Sequence, residues 1–200
     1  MIYAILKFIL FSVLGLASTI LTWVFAPIIA LFYFKELRID TVKRFNKEVK
    51  AFDREYIWKY LNWFATHDNA VDEYFWGFYK GDWLDKLLFG KIVSDWSIEE
   101  YDSSPIKRWW VRVRWLWRNP AYKFSHDVLG FQCDEKCIES INKYKNFEIT
   151  TWLNLDGSRA FLVVGGIGFK PFNNLRFGWK PNKGFSKLMF ADRIISLRDK

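Results

Sequence analysis

From Phe8 to Phe34 the chain carries no charged side chain. A helix needs only about 20 apolar residues to cross the roughly 30 Å hydrocarbon core of a bilayer. The run is too short for two spans, which would need about 40 residues. It also far exceeds the apolar core of about 7–15 residues in a secretory signal, and Leu16-Ala17-Ser18 is a poor cleavage site. An uncleaved membrane helix within residues 1–34 is therefore expected. Pro27 can divide it into a span at about Phe8–Phe25 and an interfacial tail at Pro27–Phe34.

The flanks suggest an orientation. Lys7 is the sole charged side chain before Lys35, whereas Lys35, Arg38, Lys43, Arg44, Lys47 and Lys50 crowd the exit. Basic residues are retained on the cytoplasmic side. The expectation is a single-pass membrane protein with its larger part, residues 35–200, in the cytoplasm.

The whole chain of 200 residues has a formal net charge of +8. Such a balance suits anionic lipid, nucleic acid or an acidic protein. For a tethered chain the nearest phosphates belong to lipid headgroups. Lys35, Arg38, Lys43, Arg44, Lys47, Arg108 and Arg112 are the residues expected to meet them. A protein is the other expected partner, and nucleic acid is disfavoured.

Residues 35–200 read as one α+β domain, with 35–146 mainly helix and loop and 147–200 mainly strand. Val42, Phe45, Val49, Phe52, Tyr56, Tyr60 and Trp63 step by three or four, which predicts an amphipathic helix over 36–64. Ser104 and Pro105 form a helix start. Ile106, Trp109, Trp110, Val113, Leu116 and Trp117 then recur at helical spacing. An alternating strand over 111–117 is the rival reading, and the cap decides for helix. Asn119-Pro120 ends it. A further helical piece is expected near 134–144.

From Phe147 the character changes. Asp156-Gly157 between two apolar runs is a hairpin signal. Strands are expected at 175–179 and 188–196, with a turn at Pro181–Gly184. Gly165-Gly166-Ile167-Gly168 lacks the following helix that a phosphate loop needs and reads as a bend. The expected class is thus α+β: one N-terminal transmembrane helix, amphipathic helices, then a small C-terminal antiparallel β-sheet.

Chemistry is sparse. The two histidines stand in His67-Asp68 and His126-Asp127, and Asp72 follows the first pair. Imidazole and carboxylate together can bind a divalent metal and acidify its water. Nothing in the spacing forces the pairs together, and loop residues making turn hydrogen bonds explain them as well. Cys133 and Cys137 offer two thiols where a zinc site needs four ligands. No G-x-S-x-G occurs, and no nucleophile–base–orienter set can be nominated. The sequence calls for no cofactor.

Three short motifs remain: Asp68-Asn69-x-x-Asp72, then Trp115-x-Trp117-Arg118-Asn119-Pro120-Ala121-Tyr122, then Arg176-Phe177-Gly178-Trp179-Lys180. Together they resemble an uncharacterised family of small proteins encoded by tailed bacteriophages and prophages. Many of its members begin with a hydrophobic segment, and W-x-x-R-N-P-A-Y is the most specific of the three motifs. Here Ala70 and Val71 replace the Pro-Leu of that family's loop, and Glu73 replaces its Gly. The resemblance implies a phage gene product in a bacterial host and assigns no activity. The expected role is non-enzymatic binding at the membrane. A tethered metal-dependent hydrolase built on the two His-Asp pairs, and a virion-associated structural component, are the alternatives.

Overall fold

The computed structural model describes residues 2–38, 42–44, 47–49, 52–66, 70–72, 80–166, 175–181 and 187–193. In chain order the elements are α1 (Ile2–Ile29), β1 (Tyr33–Arg38), β2 (Val42–Arg44), β3 (Lys47–Val49) and β4 (Phe52–Ile57). After a 3-10 turn at Lys59–Phe64 come α2 (Trp83–Phe89), α3 (Ile98–Ser103), α4 (Pro105–Arg118) and α5 (Tyr122–Asp127). Then follow β5 (Phe131–Gln132), β6 (Ile138–Lys143), β7 (Phe147–Leu153), β8 (Arg159–Gly165), β9 (Leu175–Lys180) and β10 (Lys187–Arg193). The fold is α+β, as the sequence predicts. The chain forms two compact units, one of Met1–Ala17 with Phe124–Lys200, the other of Ser18–Lys123.

The first unit is built on a six-stranded antiparallel sheet in the order β5-β10-β9-β8-β7-β6. Gly157, with φ of 81°, makes the turn of the Asp-Gly hairpin between β7 and β8. The core of this unit gathers Trp152, Leu162, Trp179, Leu188 and Phe190 with Leu129 and Phe131. Phe8 and Phe11 of α1 pack onto that core, with ring centroids 6.2 Å from Trp179 in both cases. Trp179 is fully buried, and its indole N–H donates to the Leu129 carbonyl at 2.8 Å. The helix expected near 134–144 is instead a turn and strand β6. Asp134 accepts N–H bonds from Lys136 and Leu155, which holds the turn, and β6 pairs along its length with β7.

In the second unit the core gathers Ala26 and Ile29 of α1, Ala30 just after it, Ile57, Val71, Val93, Trp96, Tyr101, and one side of α4. Three helices here have side-chain caps. Ser104 accepts the Lys107 N–H at the start of α4, as predicted, with Pro105 in the first turn. Asp82 with Asp85, and Ser97 with Glu100, form reciprocal capping boxes on α2 and α3. The Ser97 N–H, then Lys91 and Lys107, hold the exposed Glu100 carboxyl down at about 2.

The helix expected over 36–64 does not form. β1 pairs with β4 from Tyr33↔Ile57 to Arg38↔Phe52, and β2 pairs with β3 through Val42↔Val49. The apolar stripe misled because valine and aromatic rings suit a strand as well as a helix. The deciding residue is Glu55. A helix would leave it in water off the apolar stripe, whereas strand β4 buries it against Arg112.

Gly178 has φ of 116°, and a Cβ there would run into the Phe161 carbonyl oxygen of β8. Gly178→Ala is expected to destabilise the fold by roughly 3 kcal/mol or more, combining a disfavoured backbone with overpacking. Urea unfolding followed by tryptophan fluorescence measures it.

Candidate functional site

Helix α1 is the most unusual surface of the molecule. The buried residues of α1 are Ala4, Gly15, Thr22, Ala26 and Ile29, and Phe8 and Phe11 are half-buried. The Thr22 hydroxyl donates to the Ser18 carbonyl within the helix. The rest of the circumference is large and aliphatic, and it is exposed. Leu6 is 60% exposed, Val13 62%, Leu16 58% and Val24 64%. A soluble helix buries its large apolar side chains and shows its polar ones. α1 instead leaves most of its large aliphatic side chains exposed. It is one helix long and apolar enough to cross a membrane, near the N-terminus.

Pro27 sits inside this helix and cannot donate to the carbonyl of Trp23, four residues earlier. Trp117 supplies the missing donor: its indole N–H reaches the Trp23 carbonyl at 2.9 Å. Trp23 returns the bond to the Trp117 carbonyl at 3.2 Å. The Trp109 indole donates to the Pro27 carbonyl at 2.8 Å, and Arg112 Nη1 to the Ala30 carbonyl at 3.4 Å. Three side chains of α4 thus cap the carbonyls at the end of α1. Backbone groups beside lipid must be satisfied within the protein, since no water is there to do it.

Arg112 is also the centre of a buried charge network. Its guanidinium takes the Glu55 carboxylate in two bonds, 2.5 and 2.8 Å long, and lies 3.2 Å from the centroid of the Tyr33 ring. Burial alone would lower the Arg112 pKa. The hydrogen bonds and charge of Glu55 outweigh it, so the pKa is raised and the group stays charged. Nearby, Asp72 Oδ2 accepts the Glu55 backbone N–H at 2.8 Å, and its Oδ1 lies 3.7 Å from Arg54. Buried Asp85 accepts from the Trp110 indole at 2.7 Å and from the Asp82 N–H at 2.8 Å.

The residues nominated from sequence divide clearly. Arg112 was expected at the lipid surface. That expectation is corrected: the side chain is 3% exposed and committed to Glu55. Arg108 is half-buried on α4. Lys35 pairs with Asp53 across the β1–β4 hairpin at 3.5 Å. Arg38 lies on β1, Lys43 and Arg44 on β2, and Lys47 on β3.

Of the metal candidates, His67 and Asp68 lie outside the described residues, as does Asn69. Asp72 holds the backbone of β4. His126 is buried and its Nδ1 meets Asp127 Oδ1 at 2.8 Å. Among the described residues, no three His, Cys, Asp or Glu side chains gather as a metal site requires. Cys133 and Cys137 are free thiols; burial first, then Cys137, pushes the Cys133 thiol up to about 12.

The recurring motifs hold the fold. Arg118 stacks over the Trp115 ring at 5.7 Å, and the Asn119 N–H closes α4 on the Trp115 carbonyl. After Pro120, Ala121 turns the chain with φ of 48°, and Tyr122 opens α5. Arg176, Gly178, Trp179 and Lys180 lie on β9. Sequence reasoning missed Glu55 and the donor role of Trp109 and Trp117. Pro27 carried the signal for the latter, because a proline inside a helix always strands the carbonyl four residues before it.

This is a chain of the α+β class, with an apolar helix whose lipid-like surface is built into its packing. It belongs to a family of unknown function (DUF7338), whose sequence model matches residues 1–194 and so takes in α1 as well as the sheet. No curated protein and no solved structure matches it.

Two expectations follow. Trp117→Phe removes the indole donor of the Trp23 carbonyl and should cost about 0.5–1.5 kcal/mol, most of which disappears in a Pro27→Ala background that restores the N–H. A double-mutant cycle from denaturant unfolding reads the coupling. Arg112→Met alone should cost about 3–5 kcal/mol by stranding Glu55, and Arg112→Met with Glu55→Leu should cost less than the single change.

Proposed function

We propose that this chain is a phage-encoded protein of the bacterial inner membrane, anchored by α1, which acts by binding a host or phage protein partner and not by catalysis. The observation that carries the anchoring is the surface of α1, most of whose large aliphatic side chains are turned out. Lipid is the environment in which that arrangement is stable. The phage origin rests on the resemblance of the three motifs. The role as a binder rests on the way the candidate chemical groups are used: Asp72 ties down a strand, Asp85 caps a helix, and Arg112 with Glu55 fills a core.

In the first arrangement α1 spans the bilayer once, with the basic exit from Lys35 onward on the cytoplasmic side. A second arrangement is favoured by Phe8 and Phe11, which pack onto the sheet of the first unit. There α1 lies along the membrane face, its buried residues toward protein and its aliphatic sides toward lipid.

Alkaline carbonate extraction of expressing cells should leave the chain in the membrane pellet; release into the supernatant overturns the anchor. Ile2→Cys in a Cys133→Ser/Cys137→Ser background separates the two arrangements. Labelling of intact spheroplasts by an impermeant maleimide supports the span. Labelling only after lysis supports the in-plane helix.

A further inference from the structure

Strand β6 is one outer edge of the six-stranded sheet, and all six of its residues are exposed. The direction of its free backbone groups follows from the hairpin to β7. The Tyr144 N–H donates to the Phe147 carbonyl at 2.8 Å. Hydrogen-bonded pairs alternate along an antiparallel ladder. In the observed register Asn142↔Ile149, Ser140↔Thr151 and Ile138↔Leu153 are then the bonded pairs. The N–H and C=O groups of Glu139, Ile141 and Lys143 therefore point away from β7, toward the open edge.

We propose that this edge pairs with β6 of a second copy of the chain, antiparallel about a twofold axis through Ile141. Only residues with outward backbone groups can exchange bonds, so odd-numbered residues must face odd-numbered ones. With Ile141 on Ile141, Glu139 lies opposite Lys143 of the second copy, and Lys143 opposite its Glu139. Sliding one strand by two residues either way keeps odd residues opposite odd ones but sets Ile141 against Glu139 or against Lys143, so no Glu139–Lys143 pair is kept. The charges thus favour the alignment centred on Ile141.

The side chains agree. Glu139, Ile141 and Lys143 share a sheet face with Trp152, Thr150 and Glu148, their partners on β7. Trp152 belongs to the core on that face. Ile141, 52% exposed in the single chain, would be covered by its own counterpart. Lys143 lies 3.9 Å from Glu148 but is 79% exposed, so its ammonium group is open to a second carboxylate. A twofold contact of this kind closes on itself and stops at the dimer. It uses no residue of α1, so it stands whichever arrangement the helix adopts.

Sedimentation velocity of the full-length protein in detergent micelles tests the pairing. The wild-type chain should sediment as a dimer. Ile141→Pro removes an outward N–H from an edge where proline is tolerated, and should give a monomer with unchanged circular dichroism. Glu139→Lys should weaken dimerisation roughly tenfold or more by setting lysine against lysine twice, and Glu139→Lys/Lys143→Glu should restore it. A monomeric wild-type chain overturns the proposal, as does a dimer that Ile141→Pro leaves intact. Should Ile141→Pro disturb folding, the charge pair decides: no loss in the single variant, or no recovery in the double, overturns it.

Discussion

Arg112 is the residue on which the second unit depends. It is buried, charged and bonded in three directions at once: to Glu55 on β4, to the Ala30 carbonyl after α1, and over the Tyr33 ring on β1. A buried ion pair is not in itself a large source of stability, because desolvating both charges offsets most of their attraction. What it enforces is geometry. Removing either partner leaves a charge with no water and no counter-ion, so alternatives that separate them are excluded. The pair joins β4 to α4.

The end of α1 shows a related constraint. A proline in a helix leaves the carbonyl four residues earlier without its backbone donor. Trp117 meets it, and Trp109 meets the next one along the same side. These two tryptophans were read from sequence as apolar spacing alone. Their indole N–H groups are as much a part of their role as their area, since they give the carbonyls at the end of α1 a partner.

The motifs that gave the sequence its resemblance turn out to be architectural. R-N-P-A-Y is the corner between α4 and α5, and R-F-G-W-K sets a glycine where β9 runs hard against β8. Trp179 then fills the core of the sheet. Neither motif presents reactive groups. What distinguishes the chain among folds is the surface it offers: the aliphatic sides of α1 and the free edge of β6.

Local chemistry was enough for several elements. The uncharged run made α1 a helix with nowhere to go but lipid or protein. Ser104-Pro105 and Asn119 bounded α4, and Asp156-Gly157 placed the β7–β8 turn, because caps and tight turns depend on the residues immediately present. Tertiary structure alone decided the rest. Glu55 takes its conformation from an arginine 57 positions away, Asp72 its partner from a strand, and β6 its pairing from β7. No periodicity within the segment encodes those partners. Short aromatic and β-branched stretches are compatible with both helix and strand, and only the contact that buries or pairs them breaks the tie.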